Sequence, residues 1–194
     1  MKIYDISQEV FSCVVFPGDP KPERKIMSST AAGDLYNLTA LSMCAHNGTH
    51  LDAPFHFLGE GKTVDQLPLE TFVGESYVAR HEGDVTAADA QAILEKAKGA
   101  KRILLAGKLT VTAEAAQVFA DSGILLLGNE SQTVGPENAP MQVHLILLGK
   151  GIVLLEGIVL KDVPEGRYFL SAAPLNLGGA DGAPCRAYLI QTEM

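Results

Sequence analysis

Short apolar runs recur along this chain, and the polar stretches between them divide it into strands and helices. "KIYDI", "YNLTALSM" and "SYVARH" are rich in residues that suit a pleated surface and predict strands. "TAADAQAILEKAKG" has helical spacing, with apolar residues at Ala90, Ile93, Leu94 and Ala97, Thr86 as N-cap and Gly99 as stop. "RILLAGK" then predicts a buried strand. The same cap, helix and glycine recur from Thr112 to Gly123, followed by the buried strand "ILLLGN". A third helix is expected after Pro140, ending at the Gly149–Gly151 pair. "IVLLEGIVL" predicts another buried strand, and "RYFLSAAPLNL" and "CRAYLIQTE" two more. Continuous apolar runs alternating with helices imply a sheet covered by helices, and the strand-rich front implies mixed strand directions. The expectation is one α/β domain with a mixed sheet over residues 1–194.

Composition narrows the function classes. A chain of 194 residues with 47% hydrophobic and 20% charged residues has the balance of a globular domain with a full core. Its formal net charge is −8, and no Lys/Arg cluster suggests a nucleic-acid partner. The densest basic run, "KPERK" from Lys21 to Lys25, reads as a solvated loop. Cys13, Cys44 and Cys185 form no CxxC pair, so buried free thiols in a reducing compartment are expected. The opening "MKIYDISQEV" does not read as a signal peptide, because Asp5 and Glu9 interrupt it. The most apolar stretch, "VHLILLGKGIVLLEGIVL", carries Lys150 and Glu156 and does not read as a membrane span. A cytoplasmic location and no membrane partner are expected.

One segment stands apart. "HNGTHLDAPFH" holds His46, His50 and His56, three of the five histidines, together with Asp52. As a helix it fails, because Asn47-Gly48-Thr49 are poor helix formers and Pro54 breaks the turn. As an extended chain, His46, His50, Asp52 and His56 share a parity and face one way, although a turn at Pro54 would re-aim His56. Imidazole and carboxylate ligands suit zinc, manganese or iron, and Asp52 has two oxygens with which to bridge two ions. Further on, His144 lies in an apolar helix and Glu156 closes the strand "IVLLE"; each needs a polar partner if buried. His81, in "ARHEGD", reads as exposed and uninvolved.

"HNGTHLDAPFH" matches the H-x-G-T-H-x-D-x-P-x-H signature, and on it the chain resembles the cyclase-like metal hydrolases, a family that includes bacterial kynurenine formamidase. "FPGDP", "LPLETFVGESYV", "HLILLGKGIVLLEGIVL" and "LNLGGADGAPCRAYLI" are similar to further segments of that family. The resemblance implies a swivelling β/β/α fold and a site with two divalent ions, zinc or manganese. It implies that His46, His50 and Asp52 hold one ion, and that Asp52, His144 and Glu156 hold the second. His56 is then the catalytic acid/base, and Phe16 in "FPGDP" contacts substrate. The implied activity is hydrolysis of a small amide, N-formylkynurenine to kynurenine and formate, by a hydroxide bridging the two ions. Alternatives are a hydrolase or cyclase acting on a cyclic amide or lactone, and a non-catalytic metal-dependent binding protein. A homodimer or homotetramer is implied as well. The chain departs from the family pattern in the short "LT" segment after Lys108 and at Asn129, where an Asp is common.

Overall fold

Alternation of side chains along the central strands creates two hydrophobic layers, one on each face of a single large sheet. The computed structural model describes residues 1–191. The strands are β1 (Lys2–Asp5), β2 (Glu23–Ser28), β3 (Leu38–Ser42), β4 (His50–Asp52), β5 (Val73–Arg80), β6 (Gly83–Val85), β7 (Arg102–Ala106), β8 (Leu109–Val111), β9 (Leu126–Asn129), β10 (Val153–Glu156), β11 (Gly166–Ser171), β12 (Gly182–Pro184) and β13 (Tyr188–Gln191). The helices are α1 (Ala87–Ala97), α2 (Ala113–Asp121) and α3 (Met141–Gly149). Nine strands form one mixed sheet in the order β1-β13-β11-β5-β7-β9-β10-β4-β12. Its centre, β5-β7-β9-β10, is parallel, and the flanking pairs are antiparallel.

The central strands read as continuous apolar runs because both faces are covered. Ile103 and Leu105 of β7, Leu127 of β9 and Leu154 of β10 point to the helices, where they meet Ile93, Phe119, Val143 and Leu147. Leu104, Leu126, Val153 and Leu155 point the other way. That second layer also holds Leu51 of β4 and Leu189 of β13, from opposite ends of the strand order, so the sheet curls around it. Helix starts follow local chemistry. Thr86 and Asp89 form a reciprocal capping box at α1, and the Thr112 hydroxyl accepts the Ala115 N–H at α2.

Four expectations need correction. Glu23–Lys25 of the basic run belong to exposed strand β2, which pairs with β3 in a separate hairpin. The "LT" segment is not a bare connector, since Leu109–Val111 forms β8 beside β6. "IVLLEGIVL" leaves the sheet after Glu156, because Gly157 turns at φ +66°. The three thiols are free but half-buried. Of the last expected strand, Tyr188–Gln191 is present, and Thr192 and Glu193 lie outside the described residues. No helix among the described residues is long and apolar enough to cross a membrane.

Candidate metal centre

The register of three strands assembles the site. On β4, Leu51 enters the curled layer, so His50 and Asp52 face the helix side. On β10, Val153 and Leu155 enter the same layer, so Glu156 also faces the helices. Glu156 lies directly opposite His50 across the β10–β4 pair. His144, on the buried face of α3, completes the group from above. His46 precedes the strand on a turn rather than in extended chain, and its ring reaches Asp52 all the same. A 3-10 turn over Pro54–His56 re-aims His56.

Neighbours hold this segment rigidly. The Thr49 hydroxyl donates to the Gly157 carbonyl at 2.7 Å, and Asn47 is tied to Cys44 and Pro20. Gly157 has no room for a side chain, because a Cβ there would lie 2.5 Å from the Gly48 carbonyl oxygen. That close approach brings the segment of His50 and Asp52 beside that of Glu156.

All five sequence-predicted ligands converge. His46 Nδ1 lies 2.8 Å and His50 Nε2 3.4 Å from Asp52 Oδ1. His144 Nε2 lies 3.5 Å from Asp52 Oδ2 and 3.3 Å from Glu156 Oε1. Glu156 Oε2 also comes within 3.6 Å of His50 Nε2, so Glu156, like Asp52, reaches towards both groups. The far ring nitrogens are engaged by backbone: His50 Nδ1 with Gly48 O at 3.0 Å and His144 Nδ1 with Pro140 O at 2.9 Å. Such contacts aim each Nε2 inward. Asp52 Oδ2 is buried and accepts no hydrogen bond from the described residues, a costly state for a carboxylate oxygen unless a cation meets it. Ligands about 2.1 Å from one ion stand roughly 3–3.5 Å apart, which is the spacing found here. The residues therefore fit divalent metal.

Electrostatics agree. Burial opposes charge on His46, but Asp52 and Asp181 outweigh it and raise its pKa to about 9. Burial is likewise overcome at His144, raised to about 10 by Asp52 and Glu156, and at His50, raised mainly by Asp52. Asp52 is held well below the usual carboxylate range despite complete burial, by the histidines around it. Burial and the charge of Asp52 push Glu156 up. Protons held on histidines by buried carboxylates are what a metal ion would replace. His56 moves the other way, lowered by burial.

His56 sits at the mouth, 28% exposed, with Phe57 edge-on at 4.7 Å. With Phe16, Asp19, Phe57 and Gln132 it lines a cavity of about 180 Å³ that opens onto His46, His50, His144 and Glu156. His81 is half-buried and remote, bonded to the Asp84 carbonyl. Asn129 is buried, and its Nδ2 donates to the Thr133 carbonyl, part of the cavity wall. A larger open groove of about 1050 Å³ lies at Arg80, Lys108 and Glu130; charges of both signs line it, and it holds none of the clustered histidines. Asp181 was not anticipated from sequence. It touches both His46 and His56.

Histidines and carboxylates so arranged, beneath a half-open cavity on this sheet, define a metal-dependent hydrolase. Residues 4–136 match the family described as "Putative cyclase", and the chain belongs to that family. A kynurenine formamidase of Salinibacter ruber is 34% identical over 97% of each chain. A kynurenine formamidase of Bacillus thuringiensis (strain Al Hakam) is 34% identical over 95% of each. A solved structure described as a potential metal-dependent hydrolase with cyclase activity superposes with TM-score 0.84 at 28% identity, covering 100% of this chain and 99% of that one. Isatin hydrolase A from Labrenzia aggregata shares the fold, with TM-score 0.86 at 21% identity over 99% and 94% of the two chains.

Proposed function

We propose that this enzyme is an arylformamidase that cleaves N-formylkynurenine to kynurenine and formate, with zinc or manganese at His46, His50, Asp52, His144 and Glu156. The observation that carries the reading is the convergence of those five side chains beneath a small cavity with His56 and two phenylalanines at its wall. Relatives named kynurenine formamidase support the substrate. The cavity is smaller than the roughly 300 Å³ at which drug-sized pockets begin, which suits the reacting end of a small amide. Phe16 and Phe57 offer apolar faces to an aryl ring.

Two divalent ions bound there supply Lewis acidity and a water of lowered pKa. The chain's residues do the rest. Asp52 and Glu156 reach both groups of histidines and keep them at fixed spacing. Water adds to the formyl carbon, the C–N bond breaks, and the amine departs only with a proton. His56, the most exposed of the clustered histidines, delivers that proton. On this reading the enzyme serves tryptophan catabolism, and its free thiols support a cytoplasmic location.

The enzyme is also read as a homodimer or homotetramer. Hairpin β2–β3 is exposed on both faces, with Ile26, Met27, Leu35, Tyr36, Leu38 and Leu41 in solvent. An isolated two-stranded hairpin is marginal in water, so a second copy of the chain is its natural cover. Sedimentation at graded concentration checks this, and a strictly monomeric chain rejects it. For the activity, metal-loaded protein is assayed on N-formylkynurenine, formyl-anilides and small cyclic amides. Turnover of the formyl amides is expected to dominate. Preference for the cyclic amides overturns the assignment in favour of a cyclic-amide hydrolase.

A further inference from the structure

Asp181 sits in the turn "GGADG" before β12, far in sequence from the histidines it meets. Its backbone is pinned on both sides: the Ala53 N–H donates to the Asp181 carbonyl at 2.9 Å, and Gly182 pairs with Asp52 across the β12–β4 ladder. That backbone sets the carboxylate beside His46 and His56. One oxygen, Oδ2, takes two contacts, from His46 Nε2 at 2.8 Å and from His56 Nδ1 at 3.2 Å. The two rings lie against each other, with centroids 4.1 Å apart and planes tilted by 33°. Gly182 makes this possible, because a Cβ there would lie 2.7 Å from His46 Cε1. The carboxylate is 43% exposed, yet among the described residues its ion-pair partners are these two imidazoles and no lysine or arginine.

A carboxylate oxygen can only accept, so each contacting nitrogen carries the proton. On His46, Nδ1 also meets a carboxylate oxygen, Asp52 Oδ1 at 2.8 Å, so without metal both ring nitrogens carry protons. On loading, the contact with Asp181 keeps the proton on Nε2 while Nδ1 gives up its own, leaving that lone pair for an ion. On His56 it leaves Nε2 as the nitrogen that exchanges a proton with substrate. We infer that Asp181 is a positioning residue that sets the tautomer and ring orientation of His46 and His56 together, joining a metal ligand to the acid/base through one oxygen atom. The inference rests on the reading of His56 as the proton donor. Carboxylate partners of this kind, behind a ligand imidazole and behind a catalytic one, are each known to matter by large factors; here one residue serves both.

The test uses metal-loaded wild type, D181N, D181A, D181E and H56A. D181N has the shape of the original but offers an amide N–H to the imidazoles. For D181N, kcat on a formyl-anilide should fall by about 10²–10⁴-fold, with a far smaller fall on an activated aryl ester that needs no proton. Metal affinity should weaken by about 10–100-fold, with full loading still reached at saturation. D181E keeps the charge and should recover part of the anilide loss; D181A should recover none. In H56A, adding D181N should cost the anilide reaction little more. Imidazole ¹⁵N shifts of the loaded protein give a readout independent of turnover: His56 should be the Nδ1–H tautomer in wild type and not in D181N. An unchanged tautomer with an unchanged anilide-to-ester ratio overturns the inference. If H56A itself leaves that ratio unchanged, the His56 reading falls, and the ¹⁵N shifts alone then decide the positioning role.

Discussion

Loading the centre with metal should expel protons, and two histidines set the minimum count. Without metal at pH 7, His46, with a pKa of about 9, and His144, with a pKa of about 10, are imidazolium ions. A metal ion takes the lone pair, so each must first give up its proton. At pH 7 those deprotonations lie two and three pKa units uphill, or roughly 3 and 4 kcal/mol. The apparent affinity at pH 7 should therefore stand about 10² below its limiting value for the ion on His46 and about 10³ below for the ion on His144. Between pH 7 and 8.5 log K should climb by nearly one per pH unit for each ion. About two protons should leave per chain; the raised pKa of His50 and ionisation of water on loading can only add to this. Calorimetric titration of metal-free protein with manganese, in buffers of different ionisation enthalpy at one pH, counts them. Release below one proton per chain, or a log K that stays flat from pH 7 to 8.5, would refute the reasoning.

The same shifts govern the metal-free fold. A histidine whose folded pKa lies above 6.5 contributes stability that is complete below pH 6.5 and lost as pH rises through 9 to 10. Thermal melts of chelated protein should accordingly drop across that window, and a Tm independent of pH from 7 to 10 argues against it. Asp52→Asn should abolish loading of both ions, since Asp52 contacts His46, His50 and His144 alike; elemental analysis still showing two ions per chain rejects its shared role. His56→Ala should keep its metal while kcat on the amide falls about 10²–10⁴-fold, and a variant that instead loses metal makes His56 a ligand. Gly182→Ala should destabilise by about 1–3 kcal/mol through its clash with Leu51 O and His46, read by denaturant unfolding; a midpoint equal to wild type removes the packing argument.

Much of this was legible in the sequence, for definite reasons. Thr86 and Thr112 announce helices because a hydroxyl at that position satisfies an orphan N–H. The parity of His50 and Asp52 holds because β4 is a true strand with Leu51 buried between them. His46 shares the parity without sharing the strand; a turn through Gly48 delivers its ring, and no period could reveal that. β6 and β8 have three residues each, too few to show alternation. β2 carries Glu23, Arg24 and Lys25 and has no buried face, so it resembles a loop until β3 pairs with it. Asp181 gave no signal, because its two partners lie 125 and 135 positions away and an Asp among glycines reads as a turn.

β4 lies between β10 and β12 in the sheet, and that order bears on the protein's birth. The strand bearing His50 and Asp52 has no neighbour on one side until residue 156 is made, and none on the other until residue 184. At about 5–20 residues per second, the interval is roughly 5–25 s for a growing chain. Through it, the histidine-rich segment stays on the nascent polypeptide as a loose string of imidazoles that any passing cation can visit. Ribosome-stalled chains ending near residue 140 should hold manganese no better than a free peptide of the same segment; tight capture by such chains would contradict this. Tight metal capture then belongs to the completed sheet, which alone sets His50 and Asp52 beside Glu156.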